Sequence, residues 1–374
     1  MRFLLSRPHG RTTASTVDAR FDRAQDAVAA ISAARRAGRR IAVVGALSFD
    51  AGSPERIHPD ALYAVADLSH SGTDIIAPQS FSPSVSLLQS VPAPAVHRDR
   101  VARVIERIAA GEASKVVLAR TLRLRADEPL DVDALVAALA ATNPERNAFR
   151  VDLDAAGPTF LGHTLVGASP ESLVRKVGDT VTCHPYAGSA ARSTDPTLDA
   201  QRAESLLDSA KDRHEHRIVV EHIREALAPI AAQLSVPDEP VLLSTGEMWH
   251  LATPIEARLR DGSLSALDLA LRLHPTPAVC GTPTAVARHI ITEVEEPRGF
   301  YAGAVGWCDE AGDGEWMVSI RCLELDADRQ TMSASAGGGI VAASDPAAEL
   351  AETGAKFATV LRALGCPDLL RDEA

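Results

Sequence analysis

The spacing of apolar residues changes along this chain, and each change marks an element. Between 97 and 110, Val101, Val104, Ile105 and Ile108 recur on one helical face and Gly111 closes the run, which predicts an amphipathic helix. The period then switches. SKVVLARTLRLR at 114–125 is rich in β-branched residues and alternates in its second half, so a strand is expected with Lys115 at its start. The same reasoning predicts helices over 22–36, 131–142, 197–233 (bent near Ala210), 264–273 and 284–294. Strands are predicted over 41–46, 148–153, 159–162, 241–258, 302–309, 316–325 and 330–336. A hairpin runs from Glu171 and turns near Gly178 and Asp179. Strands follow one another without regular intervening helices, so the pattern predicts an α+β chain with large antiparallel sheets rather than βαβ repeats.

Near the C-terminal end, ASAGGGIVAASDPAAELAETGAK (334–356) carries a glycine run into a helix, with Ser344 or Asp345 as its cap and Pro346 in its first turn. On that helix Glu349, Glu352 and Lys356 fall at i, i+3 and i+7 and share one face. Asp212 and Glu215, three apart in the long helix, form a second acidic pair. Three glycines let backbone N–H groups approach an anion, and paired carboxylates suit a hard divalent cation. A solvated helix face with an intrahelical ion pair would give the same spacing. His214, Glu215, His216 and His222 do not make a zinc helix, because Ile218 stands where the i+4 histidine would be needed. Glu171, directly after Ser169 and Pro170 and heading into an apolar strand, is placed for a carboxyl held protonated by burial. Ala187, Gly188 and Ser189 form a small-residue turn able to lay N–H groups and a hydroxyl against a ligand. His250, flanked by apolar residues, reads as a satisfied core imidazole.

Composition narrows the partner. At 374 residues and 46% hydrophobic content the chain has ample material for a core, and a formal charge of −12 argues against a nucleic-acid backbone as ligand. MRFLLSRPHGR is too short and too soon polar for a signal peptide, and no apolar run reaches membrane-spanning length, so a cytoplasmic protein is expected. Five cysteines without a Cys-x-x-Cys pair are expected to be reduced core thiols. Of 38 basic residues only four are lysine, at 115, 176, 211 and 356. Where arginine serves everywhere else, a buried lysine suggests chemistry that needs a deprotonable amine, and Lys115 is the candidate.

KVVLAR (115–120), GASPE (167–171), AGS (187–189), KDRHEH (211–216), WHLATP (249–254), HPTPAV (274–279), GWCD (306–309), SIRC (319–322), AGGGIVAASDP and ETGAK (352–356) occur in this order. Together they resemble the chorismate-utilising enzymes, and isochorismate synthases most of all, over roughly residues 93–365. The resemblance implies a chorismate-binding fold like that of anthranilate synthase component I: α+β, two large mostly antiparallel sheets packed together with helices outside. Residues 1–92, which carry no chemical motif, are then the N-terminal part of the same unit, and 366–374 a tail. The resemblance also implies Mg2+ held by Glu215 and Glu352, with Asp212 and Glu349 behind them. It places Arg321, Gly337, Gly339 and Lys356 at the enolpyruvyl carboxylate, and Gly188, Ser189, His250, Ala278 and Tyr301 in the substrate pocket. Gly338 departs from the family's commoner alanine and Leu350 from its frequent tryptophan.

Conversion of chorismate to isochorismate needs water to attack ring carbon 2 while the hydroxyl on carbon 4 leaves. The resemblance gives Lys115 as the base and Glu171 as the acid. A lysine base must act uncharged, which takes desolvation or neighbouring positive charge. Ammonia-using relatives, the anthranilate and aminodeoxychorismate synthases, resemble a different pattern, with a non-basic residue at 115 and, in the latter, a nucleophilic lysine at 187 where this chain has Ala187. A salicylate synthase, which goes on to expel pyruvate, shares Lys115, Glu171 and the metal residues, and a non-catalytic anion-binding protein would lack the acid or the base. The expectation is a monomer without an obligate protein partner, supplying either menaquinone or siderophore synthesis.

Overall fold

Runs such as AVVGAL (42–47) are apolar at every position because the strand they form is covered on both faces. The structure, a computed structural model, describes residues 1–72, 81–244 and 248–371. In it Val44 and Ala46 enter one core while Val43 and Leu47 enter another. The same division separates Phe3 and Leu5 from Leu4, and Leu165 from Val166. Alternate side chains of a strand point to opposite faces, so these strands lie between two layers.

Two large sheets account for the layering. A ten-stranded sheet runs in the order Gly281–Thr282, Lys115–Ala126, Thr331–Ile340, Cys322–Leu325, Thr164–Gly167, Ala148–Asp152, Phe3–Arg7, Gly10–Ala14 and Ser69–Ser71, with Val85–Val91 also paired to Lys115–Ala126. A nine-stranded sheet runs Ala231–Ser235, Ile255–Leu259, Thr180–His184, Ser172–Val177, Gly314–Val318, Ala304–Asp309, Ala42–Leu47, Ala61–Val65 and Ala19–Phe21. A third, small sheet joins Tyr186–Ala191, Met248–Ala252 and Val241–Ser244. Every strand pairing among the described residues is antiparallel.

The two large sheets pack face to face over Phe3, Tyr63, Phe149, Val151, Val305 and Met317. Helices Val132–Thr142 and Pro346–Ala363 cover the outer face of the first sheet. Helices Ala24–Arg36, Pro94–Ala109, Ala210–Leu227, Ala266–Leu273 and Thr284–Val294 build a further core on the second, which also takes Val116 and Leu118. This is the α+β architecture expected from the spacing. The N-terminal strands are woven through it: Phe3–Arg7 lies between Gly10–Ala14 and Ala148–Asp152, and Ala42–Leu47 pairs with Ala304–Asp309.

Several boundaries depart from the sequence pattern for local reasons. The strand expected at 159–162 is a 3-10 turn, Pro158–Phe160, because Gly157 takes a φ of 110° and Pro158 begins the turn; the strand follows at Thr164–Gly167. The long helix over 197–233 is two, Pro196–Asp208 and Ala210–Leu227, because the side chain of Ser209 accepts from the Asp212 amide and caps a new start. Its expected last turn is a strand, Ala231–Ser235, claimed by pairing with Ile255–Leu259. The helix expected at 97 starts at Pro94, which suits a first-turn position. The region 241–258 forms three strands, and 245–247 lie outside the described residues. All five cysteines are free thiols, four of them buried and Cys366 half-buried.

Candidate active site

Lys115 opens the strand Lys115–Ala126, and Thr331–Ile340 lies beside it with Gly339 opposite Val117 and Gly337 opposite Ala119. The glycine run is therefore part of the strand, which continues beyond the 330–336 expected from sequence to Ile340. The reason is space. A Cβ at Gly339 would stand 2.7 Å from Glu215 Oε1 and 2.8 Å from Lys115 Cε. One at Gly338, on the opposite face, would stand 2.9 Å from Glu349 Oε2, so two acidic helices press on this strand from its two sides. On the strand's other edge Cys322–Leu325 pairs only with Met332–Ala334. From Ser335 onward that edge has no strand partner among the described residues. The neighbouring strand stops there because the expected strand 316–325 breaks between Val318 and Cys322, where Arg321 takes a φ of 51° and lines the same cleft as Gly337 and Gly339.

Glu349 and Glu352 lie on Pro346–Ala363, which Asp345 caps by accepting from the Ala347 and Ala348 amides. Ser344 donates instead to Glu349 Oε1 at 2.6 Å. Asp212 and Glu215 lie in the first turns of Ala210–Leu227. Three of these acids face a lysine. Lys115 Nζ is 2.7 Å from Glu215 Oε1, fully buried, and makes no aligned hydrogen bond among the described residues. Lys356 Nζ is 2.5 Å from Glu352 Oε1 and donates to the Gly337 carbonyl at 2.8 Å, and Lys211 Nζ is 3.9 Å from Glu349 Oε1. Burial pushes the Glu349 carboxyl up to about 7, and the charge of Glu352 adds to it. Burial also raises Asp212, with Glu215 adding. For Glu352 burial is again the largest influence, yet the Lys356 ammonium and its hydrogen bond lead the opposing pull that holds the carboxyl below its ordinary value. Glu349 Oε2 is buried without a hydrogen-bond partner among the described residues.

Glu171 precedes the strand Ser172–Val177 and is 4% exposed. Burial lifts its carboxyl to about 7, against the opposing pull of Lys115 and a backbone hydrogen bond from Tyr186. His250 is buried as expected, but it is not a satisfied core imidazole. Its Nε2 has no hydrogen-bond partner among the described residues, and the side chain lines the cleft. Burial, then Arg321 and Lys356, takes it down to about 3, so the ring is neutral at pH 7. It stacks on Tyr186 with centroids 5.6 Å apart and planes 15° apart. Opposite His250 in the small sheet is Ser189, and beside it Gly188, at a φ of 75°, lets the strand bulge against the helix where a Cβ would stand 3.0 Å from the Asp212 Cβ.

Glu171, Gly188, Ser189, Asp212, Glu215, His250, Ala278, Tyr301, Arg321, Gly337, Gly339, Glu352 and Lys356 line one cleft of about 820 Å³ including its open mouth. Lys115 and Glu349, the other two residues singled out in the sequence, stand behind its wall at Gly339 and Gly338. Lys211, Tyr186, Val117, Val279 and Ile320 also line it and were not singled out. For Lys211 a signal existed, since lysine is rare in this chain; the apolar residues carry none. Scarcity alone misleads at Lys176, which is just as buried as a catalytic lysine would be and pairs with Asp313 at 3.2 Å in a structural hairpin. The histidines of the acidic helix are hydrogen-bonding or exposed groups: His216 meets the Thr253 hydroxyl at 2.7 Å, His222 the Leu273 carbonyl at 3.1 Å, and His214 is exposed.

The chain matches the family described as chorismate binding enzyme over residues 7–365. It is 48% identical over 279 residues to the isochorismate synthase DhbC of Bacillus subtilis, covering 74% of this chain and 70% of that one. A Mycobacterium tuberculosis protein provisionally named isochorismate synthase MenF is 47% identical over 366 residues, 97% of this chain and 96% of its own. Among solved structures, Bacillus anthracis DhbC, provisionally called a 2,3-dihydroxybenzoate-specific isochorismate synthase, superimposes with a TM-score of 0.87 at 37% identity, covering 98% of this chain and 96% of that one.

Proposed function

The chain belongs to the chorismate binding enzymes, and from that premise we propose that it is an isochorismate synthase, an isomerase that interconverts chorismate and isochorismate. In the forward direction water adds to ring carbon 2, the ring double bonds shift, and the bond from carbon 4 to its hydroxyl breaks. One proton leaves the attacking water and one joins the departing hydroxyl, so the net change is isomerisation. Glu171 carries the reading of the acid: buried against the cleft and raised to about 7, it holds a proton where an ordinary glutamate would have lost it. Lys115 is the base. Its amine is fully buried and lies 2.7 Å from Glu215 Oε1. Gly339 leaves open the space through which that amine reaches the cleft. Arg321, Lys356 and Lys211 bring three cations to the cleft lining, which suits the carboxylates of chorismate, and the guanidinium suits a bidentate grip.

Among the described residues no three acidic, histidine or cysteine side chains stand close enough to cage a metal by themselves. Mg2+ does not require a cage, since it keeps several waters and takes one or two carboxylates with oxygens of the substrate. The donor set fits that habit: hard oxygens from two helices converge on a glycine strand, and Glu349 Oε2 is buried without a partner. Glu215 and Glu352 would hold the ion, with Asp212 and Glu349 behind them. When bound, it would neutralise the acidic groups and fix the ring carboxylate of the substrate.

The proposal includes residues 1–92 as an integral part of the catalytic unit, supported by their strands in both sheets. It also includes action as a cytoplasmic monomer, supported by a donor and acceptor set complete within one chain; sedimentation of the purified protein checks the monomer. No helix among the described residues is long and apolar enough to cross a membrane. Incubation of the purified protein with chorismate and Mg2+, with products resolved by chromatography, tests the function. Isochorismate alone is expected. Salicylate with pyruvate would move the reading to a salicylate synthase, anthranilate formed with ammonium salts to an aminating enzyme, and no turnover to a binding protein. Full activity in excess chelator would remove Mg2+ from the account.

A further inference from the structure

Behind the cleft wall lies an ion pair that touches none of the reacting groups. The side chains of Glu295 and Arg298 are each 3% exposed and join through two contacts, Nε to Oε2 at 2.8 Å and Nη2 to Oε1 at 2.9 Å. Each then reaches the backbone of another segment. Arg298 Nη2 donates to the Val117 carbonyl at 2.7 Å and Nη1 to the Val279 carbonyl at 2.8 Å, while Glu295 Oε1 accepts from the Ala119 amide at 2.6 Å. Phe49 lies under the guanidinium, 4.5 Å from its centre to the ring centroid. Val117 and Val279 line the cleft, Tyr301 stands three residues after Arg298, and Lys115 lies two residues before Val117 on the same strand face.

Resting on the function proposed above, we infer that Glu295 and Arg298 are positioning residues for the isomerisation: their fork sets the strand of Lys115 against the turn at Val279 and the segment of Tyr301. Stability alone does not call for this pair, because a buried ion pair of good geometry often does no better than apolar residues of the same volume. What apolar residues cannot do is hold three backbone atoms of two different segments at fixed distances, two on the guanidinium and one on the carboxylate paired with it. The base depends on that spacing. A displacement of the Lys115 strand by about 1 Å would leave the cationic grip on the substrate intact and spoil the line from amine to water to ring carbon.

The test is Arg298→Lys, which keeps the charge and loses the fork. Its kcat per folded molecule is expected to fall about 10- to 100-fold, while KM for chorismate stays within about threefold of the parent. A purely structural pair would instead lower the yield of folded protein and leave the kcat of the folded fraction alone, and that result overturns the inference. Should Arg298→Lys fail to fold, Phe49→Leu decides: it removes the ring beneath the guanidinium, keeps every donor, and should lower kcat about two- to fivefold at unchanged KM. An unchanged kcat there overturns the inference. A parent protein that does not convert chorismate overturns both this inference and the function it rests on, whereas an active parent with unaltered variants overturns the positioning role alone.

Discussion

At the scale of single residues, the proposed chemistry separates binding from rate. Lys115 does not line the cleft, so Lys115→Ala leaves Arg321, Lys356 and the acidic groups in place. Chorismate should still bind, as calorimetry would report, while turnover falls about 100- to 10,000-fold, the loss expected for a general base. Turnover near that of the parent would place the base elsewhere. Glu171 gives a prediction with a sign. Its folded carboxyl titrates at about 7 against an ordinary value of 4.5, so between these values the folded state holds a proton that the unfolded chain has lost. That proton's contribution is present below about 4.5 and is lost as pH rises through about 7. Glu171→Gln should therefore match the parent's thermal midpoint near pH 4 and exceed it at pH 8, with turnover lost throughout. Parent turnover of chorismate should decline as pH rises through about 7, because an ionised Glu171 has no proton to give. A midpoint for the variant that tracks the parent's at every pH would refute the raised carboxyl. Glu171 was legible in the sequence because a charge heading an apolar strand is out of place; Lys211 was legible only through the scarcity of lysine, because on a polar helix it looks like any solvated lysine.

At the scale of elements, the glycine run teaches more than its composition suggested. The sequence pattern ended the strand at 336 and left the glycines between it and the helix, since three glycines break both helical and strand propensity. Strand pairing to 115–126 overrides that propensity, and the sequence holds no sign of the carboxylates that demand the missing side chains, because they arrive from helices far away in the chain. The two adjacent glycines should respond differently to one added methyl. At Gly338 the methyl meets the free end of Glu349, which can swing away, so Gly338→Ala should leave turnover near that of the parent. At Gly339 it meets both partners of the Lys115–Glu215 pair, and Gly339→Ala should lower turnover about 100-fold with the fold retained. Equal effects at the two positions, measured side by side, would contradict this account of the strand. The split of the long acidic helix was half legible: a bend near Ala210 was visible, but Ser209 as a new cap and the strand after Leu227 depend on a hydroxyl's choice of partner and on pairing with Ile255–Leu259.

At the scale of the whole molecule, the α+β class followed from strands that succeed one another without regular intervening helices, whereas strand order did not, because register between strands hundreds of residues apart leaves no local trace. The first 92 residues show the difference. They carry no chemical motif, yet Phe3–Arg7 and Ala42–Leu47 are interior strands of the two sheets. A chain starting at residue 93 keeps every group proposed for the chemistry and should nevertheless fail to fold, giving insoluble material or a circular dichroism spectrum without cooperative melting. A soluble, active fragment would show the weave to be dispensable. The same pairings set a timetable for synthesis. Val43 meets Cys308, and Lys115–Ala126 meets Thr331–Ile340, so the second sheet cannot close until residue 308 has left the ribosome, nor the first until residue 340 has. Until then its early apolar strands wait with bare edges, and long-range pairing of this kind is slow. Production of this protein should therefore respond to translation speed and to chaperone supply more sharply than its final stability would suggest, which the soluble fraction at slowed and normal elongation rates would measure.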